Sequence, residues 1–263
     1  MHLAVVQTSP RFGDAAGNIA EASALMESAS ADLYVLPELF STGYNFVDRA
    51  EAASLAEPAD GPTCAAMTRF ARAKNCYVAY GFAEKGEELY NAAALVGPSG
   101  LLALYRKVHL YYKETTLFSP GNLGFPVTAL PFGRVGMMVC FDWLFPESAR
   151  TLALAGADLI AHPSNLVMPH CPDAMVTRCL ENRVFAATAN RVGAEDRGGV
   201  ALTFIGKSEI VSPRGEILTR LGPSGPGIGV CEVDLAEARS KRINEWNDLF
   251  ADRKPSQYAP GAG

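Results

Sequence analysis

The sequence predicts an α/β fold on two observations. Short apolar, β-branched runs alternate with helical stretches along the 263 residues, and one strand–helix–strand pattern occurs twice. In the second observation ADLYVLPE (31–38) aligns with ADLIAHPS (157–164) at a constant offset of 126, each copy following a strand–helix unit, the first opening at Leu3 and the second at Val135. Chance plus shared β-α-β grammar is one reading. The other is two similar halves, packed sheet on sheet with helices outside, whose active groups meet at one end of the paired sheets.

Taken in order, 3–6 reads as a buried strand and 18–29, rich in Ala, Glu, Leu and Met, as a helix. A strand over 33–36 is stopped by Pro37, and a helix over 63–74 precedes strands at 77–82, 92–96 and 101–105. The turn Gly97-Pro98-Ser99-Gly100 makes the last two a hairpin. A strand over 135–139 leads into a helix over 146–155, with Pro146 in its first turn and Gly156 past its end. Strand 159–161, helix 173–184 and strand 186–189 follow. Runs at 205–211 and 216–221 flank Ser212-Pro213-Arg214-Gly215 as a second hairpin, 228–233 is the last strand, and 235–242 is a short helix. From Asn244 the pattern is aperiodic.

At 49% apolar residues the chain can bury a sizeable core, and dispersed Pro and Gly without a low-complexity linker predict a single domain. A net charge of −5 gives no electrostatic footprint for nucleic acid or an anionic membrane. No apolar run approaches the ~20 residues that span a bilayer, and MHLAVVQTSP lacks the basic start of a signal peptide. Six cysteines (Cys64, Cys76, Cys140, Cys171, Cys179, Cys231) without CxxC pairs read as reduced thiols of a cytoplasmic protein.

Three apolar runs end in chemically useful groups: ADLYVLPE in Glu38, GLLALYRK in Lys107 and RVGMMVC in Cys140. Reactive groups of open α/β folds sit at the carboxyl ends of strands, and a carboxylate, an ammonium and a thiol there are the parts of a cysteine-nucleophile hydrolase. Each residue also has a plainer reading. A free Cys is usually an inert core residue, a strand-end Glu can pair with a surface cation, and adjacent Arg106 and Lys107 can mark a solvated edge. In extended chain only one of those two cations can face inward, and His109 shares that face with Lys107, as a base or as an orienter of a neighbour. Other templates fail. There is no G-x-S-x-G elbow and no opening G-x-G-x-x-G. Gly206-Lys207-Ser208 lacks the first glycine of a P-loop, with Ala201 in its place, and reads as strand. His162, His170, Cys171 and Cys179 fit no zinc spacing.

Through these residues the chain resembles the nitrilase superfamily of carbon–nitrogen hydrolases. The resemblance runs in order through LAVVQ, LPELFSTGY, YRKVHL, ETTLFSPG, VCFDWLFPESARTLALAGADLIAHPSN, LENRVFAATANRVG, FIGKSEIVSPRGEIL and GVCEVDL. Trp143 and the HPSNLVMP stretch are most similar to small thermophile-type aliphatic nitrilases. The resemblance implies a four-layer α-β-β-α sandwich with two pseudo-symmetric halves. It implies a hydrolase domain over 1–243 and a tail over 244–263 at a subunit interface, in a homodimer or a larger even-numbered assembly. It implies Cys140 as nucleophile, Glu38 as base, Lys107 with the backbone N–H of Phe141 at the oxyanion, and Glu114 as a second glutamate positioning Lys107 or water. No metal or organic cofactor is called for. Tyr44, Trp143 and Asn165 are candidate substrate contacts by adjacency to the catalytic strand ends. The expected substrate is a small aliphatic nitrile or amide. The alternatives are an ω-amidase, an N-carbamoyl amine amidohydrolase, or an inactive interaction scaffold, against which the three intact residues argue.

Overall fold

The computed structural model describes residues 1–258. In the first half, β1 (His2–Gln7), α1 (Ala15–Glu27) and β2 (Leu33–Val35) form a parallel strand–helix–strand unit. α1 is capped by the Asp14 side chain, which accepts from the Gly17 amide. Helices α2 (Arg49–Leu55) and α3 (Pro62–Lys74) follow; α3 opens with proline and closes on Asn75 in the left-handed region. Next come β3 (Tyr77–Lys85), β4 (Leu89–Gly97) and β5 (Gly100–Arg106), then the single turn α4 (Glu114–Leu117). β4 and β5 are the expected hairpin about 97–100.

The second half opens with the hairpin of β6 (Val127–Leu130) and β7 (Gly133–Met137). A 3-10 turn (Cys140–Leu144) leads to α5 (Pro146–Leu154), β8 (Leu159–Pro163), α6 (Cys171–Asn182) and β9 (Phe185–Ala189). β10 (Val192–Arg197) and β11 (Val200–Ile205) form a separate ribbon, after which β12 (Glu209–Val211) and β13 (Ile217–Arg220) rejoin the second sheet. β14 (Gly227–Glu232) returns to pair with β1.

The two six-stranded sheets are ordered β14-β1-β2-β3-β4-β5 and β13-β12-β9-β8-β7-β6. Read in opposite directions they are one scheme: a parallel trio (β1-β2-β3 or β7-β8-β9) with an antiparallel strand on one side and two on the other. Even the register repeats: Leu3 faces Leu33, which faces Tyr77, just as Val135 faces Leu159, which faces Phe185. Of the two readings of the 126-residue repeat, the duplication is the one the fold bears out. The sheets stack on each other, Leu3, Val5, Leu33 and Val35 meeting Val135, Leu159 and Ala187 in one core. The alternate residues Ala4, Val6, Tyr34 and Leu36 face α1 and α3, while α5 and α6 cover the other sheet. Central strands are thus buried on both faces, which is why they read as continuous apolar runs. The result is the α-β-β-α sandwich of a single-domain α/β fold.

Three local expectations change. The strand over 135–139 ends at Met137. The run at 205–211 is broken after Ile205 because Gly206 and Lys207 both take positive φ, so Ile205 closes the β10–β11 ribbon while only Glu209–Val211 joins β13. The stretch 206–208 is accordingly a connection rather than strand. The helix over 235–242 is a 3-10 turn confined to Leu235–Ala238. The sequence reading also omitted α2, α4, β6, β10 and all of β11 but Ile205, which carry no strong period of their own. Of the proposed tail, residues 259–263 lie outside the described residues. Within the rest, Phe250 lies under the Arg150 and Lys241 side chains, while Trp246 is 82% exposed. Among the described residues no helix is long and apolar enough to cross a membrane.

Candidate active site

Glu38 lies three residues past β2, on a loop laid directly over β3. The Gly81 amide donates to the Pro37 carbonyl at 3.1 Å, and the Phe40 amide donates to the Gly81 carbonyl at 3.2 Å. A Cβ at position 81 would stand 2.5 Å from the Glu38 Cα, so glycine is what allows this approach. Leu39, immediately after, is held at φ 48°. Lys107 directly follows β5, its amide donating to the Asn91 carbonyl at 2.8 Å. Arg106 takes the opposite face, forks onto Glu84 with two 2.7 Å bonds and covers the Tyr90 ring. The pair is therefore one inward and one outward cation, not a solvated edge.

Cys140 begins the 3-10 turn with φ 41°, a left-handed conformation that non-glycine residues adopt at a cost of about 1–3 kcal/mol. Asp142 holds that turn. Its buried carboxylate accepts from the Val139 amide (2.8 Å), the Tyr105 hydroxyl (2.6 Å) and the His109 amide (3.2 Å), and it contacts His109 Nδ1 at 2.7 Å. His109, stacked on Phe145, thus orients a neighbour. From below, His162 Nε2 lies 3.0 Å from the Cys140 carbonyl oxygen and its Nδ1 lies 3.0 Å from Thr188 Oγ1. Burial pushes the His162 pKa down to about 4, so the ring is neutral and its Nε2–H is the donor to the carbonyl.

At the centre, fully buried Lys107 donates from Nζ to Glu38 Oε1 at 2.7 Å and to Glu114 Oε1 at 2.8 Å. Asn91 Nδ2 donates to Glu38 Oε1 at 2.7 Å, and the Tyr44 hydroxyl donates to Glu114 Oε1 at 2.5 Å. Glu38 Oε2 is buried with no partner among the described residues. Burial raises the Glu38 pKa, Glu114 adds to this, and Lys107 opposes it. Burial likewise pushes the Cys140 thiol up, with Glu38 adding and Lys107 opposing, and the Asn165 backbone hydrogen bond also favours the thiolate. Burial alone would lower the Lys107 pKa, but Glu114 and Glu38 together raise it, keeping the ammonium charged.

Cys140 opens onto a small cleft lined by Tyr111, Phe141, Trp143, Asn165 and the segment 166–168, with about 230 Å³ of free space including open solvent. Thus Glu38, Lys107, Glu114 and Cys140 form one cluster, with Phe141, Trp143 and Asn165 around the thiol. Tyr44 stands apart: it lines a neighbouring cleft and reaches the cluster through Glu114. The sequence reading missed Asn91, and it noted Asp142 only as a polar neighbour and His162 only as part of a discarded metal cluster. Asn91 falls just outside the strand read at 92–96 and is seen to lie within a wholly buried strand only because β4 begins at Leu89. Among the described residues no three His, Cys, Asp or Glu side chains form a group that could hold a metal ion.

Residues 2–243 match the family model described as carbon-nitrogen hydrolase. The chain belongs to the carbon–nitrogen hydrolase family. It is 50% identical over 261 residues to a nitrilase of Pyrococcus abyssi, covering 97% of this chain and 98% of that protein. It is 31% identical to an N-carbamoylputrescine amidase of Solanum lycopersicum, over 93% of this chain and 89% of that one. Among solved structures, a variant of the amidase from Nesterenkonia sp. AN1, with acrylamide added at its active-site cysteine, matches with a TM-score of 0.82. Its identity is 28%, covering 98% of each chain. This carbon–nitrogen hydrolase is accordingly an enzyme of the nitrilase/amidase type, and the inactive-scaffold alternative falls away.

Proposed function

We propose that this hydrolase cleaves a small aliphatic nitrile or amide through a covalent Cys140 acyl-enzyme. The observation that carries the reading is the Lys107 ammonium held between Glu38 and Glu114 beside a buried thiol, with Glu38 Oε2 unpaired. Glu38 takes the thiol proton as sulfur attacks the substrate carbon. Both groups have raised pKa values, so the transfer is between two groups disfavoured as anions by the same burial. Lys107 and the Phe141 amide, in the first turn of the 3-10 segment where amides lack an internal acceptor, stabilise the oxyanion. Because its pKa is raised, Lys107 acts as a fixed positive charge rather than a proton donor.

For an amide, Glu38 returns the proton to nitrogen, the C–N bond breaks and ammonia leaves a thioester. Glu38 then takes a proton from water, the hydroxide attacks the thioester, and the sulfur leaves with that proton, releasing the acid. A nitrile first gives a thioimidate, which takes up one water and loses ammonia to reach the same thioester. Glu114, tied to Lys107 and Tyr44, positions the ammonium. The similarity to an N-carbamoylputrescine amidase supports an N-carbamoyl amine as the second reading. The exposed Trp246 supports a tail that packs against another subunit, in an even-numbered assembly. The cysteine usage supports a cytoplasmic setting.

Ammonia release from a panel of small nitriles, amides and N-carbamoyl amines tests this. Turnover of at least one class, abolished in Cys140→Ala, is expected. Turnover that survives in Cys140→Ala removes the nucleophile assignment.

A further inference from the structure

Asn165 sits within the cleft at the nucleophile. It lines that cleft together with Cys140, and the residue is only 3% exposed. Both Nδ2 and Oδ1 are buried without a partner among the described residues, and among the buried asparagines described it alone lacks a partner at both ends. The contrast with Asn190 is direct. Asn190 Oδ1 accepts from the Leu166 amide at 2.8 Å, and its Nδ2 donates to the Gly206 carbonyl at 2.6 Å. A buried amide with neither end bonded is costly, because its desolvation is uncompensated.

The backbone on either side of Asn165 is pinned. The Ser164 amide donates to the Ala189 carbonyl at 2.8 Å, and the Leu166 amide donates to Asn190. The backbone that carries the Asn165 donor and acceptor is therefore held in place ahead of binding. In the proposed reaction the oxygen of the scissile group faces Lys107 and the Phe141 amide, and its nitrogen faces Glu38. That leaves the acyl substituent against the rest of the cleft, where the other side chains are aromatic or apolar: Tyr111, Trp143 and those of the segment 166–168.

We propose that Asn165 is a specificity-determining residue that reads a second carboxamide on the acyl side of the substrate. A primary carboxamide presents a C=O and an N–H side by side, which match Nδ2 and Oδ1 in a cyclic pair. A cyano or carboxylate group accepts only and leaves Oδ1 without a donor; an alkyl group leaves both ends bare. Whatever solvent occupies the fork must be replaced by a group that reproduces its bonds. The inference rests on the reading of Cys140 as the nucleophile.

The test uses the full-length enzyme and three amides of matched shape: succinamide, succinamate and 4-methylpentanamide. The kcat/KM of each is followed by ammonia release. Wild type should favour succinamide over both others by at least about tenfold, beyond the factor of two for its two equivalent ends. Asn165→Leu should lose that preference and gain on 4-methylpentanamide. Asn165→Asp, of the same shape but without the donor, should also lose it. Thermal unfolding establishes that both variants are folded. Equal kcat/KM for the three amides in wild type, or a succinamide preference retained in Asn165→Leu, overturns the inference while the nucleophile reading stands if Cys140→Ala is inactive. Turnover undiminished in Cys140→Ala overturns the nucleophile reading, and the inference with it.

Discussion

The two halves share strand order, direction and register, yet end their equivalent strands differently. Thr8 follows β1 where Cys140 follows β7, and Ser164 stands in the second copy of the repeat where Glu38 stands in the first. At Thr8 the chain runs on extended: Thr8 bridges to Arg191 in parallel, and its carbonyl accepts from the Val192 amide at 2.9 Å. At Cys140 the chain instead turns to φ 41° and opens a 3-10 turn, so the side chain faces a cleft. At Glu38 the loop lies over Gly81 and delivers a carboxylate to Lys107, while among the described residues Ser164 Oγ hydrogen-bonds only with the neighbouring His162. One scaffold used twice supplies the positions; the turn at each strand end decides whether a position is closed by backbone pairing or open for chemistry. The thiol comes from one half and its carboxylate and ammonium from the other, so the site needs both.

The difference between the equivalent positions 38 and 164 gives the largest expected effect. Glu38→Gln should lower kcat/KM by about 10²–10⁴-fold, whereas Ser164→Ala should stay within about tenfold, the scale of one neutral hydrogen bond. Because burial raises the Glu38 pKa, activity in wild type should fall on acidification through a value above that of an ordinary glutamate. This acid limb should be missing from the residual activity of Glu38→Gln. A limb that persists in the variant would assign the base elsewhere.

A smaller effect concerns the support beneath Cys140. His162 has a folded pKa of about 4 against an ordinary 6.5, so the unfolded chain takes up a proton first as pH falls. Its stabilising contribution is complete above pH 6.5 and lost as pH falls through about 4, amounting to roughly 3 kcal/mol. His162→Gln can keep a donor toward the Cys140 carbonyl without titrating. Denaturant unfolding between pH 7 and 4 should therefore show a shallower loss for this variant than for wild type; parallel curves would mean that His162 does not carry the difference.

Much of this was legible before any coordinates. The alternation of apolar runs and helices reflects strands buried on two faces, and the 126-residue offset reflects a duplicated register, so both survive in the fold. Glu38, Lys107 and Cys140 were legible because each closes an apolar run. What hid the rest is also physical. Glu114 lies on a one-turn helix with no period, and only family resemblance marked it. Asn91 looks like the edge of a strand until the strand is seen to continue through it to Leu89. The break at Gly206 and Lys207 depends on positive φ at a lysine, which composition does not announce. Asp142 and His162 act through backbone atoms of the Cys140 turn, a role with no residue pattern of its own.

The central claim is that the open strand end at Cys140 forms the covalent bond. Acid-quenching the enzyme during turnover of a small amide, then measuring intact mass and peptide masses, tests it directly. The account predicts a mass increase equal to the acyl group, localised to the peptide carrying Cys140 and missing from Cys140→Ala. An increase on any other residue, or one that persists in Cys140→Ala, would contradict it.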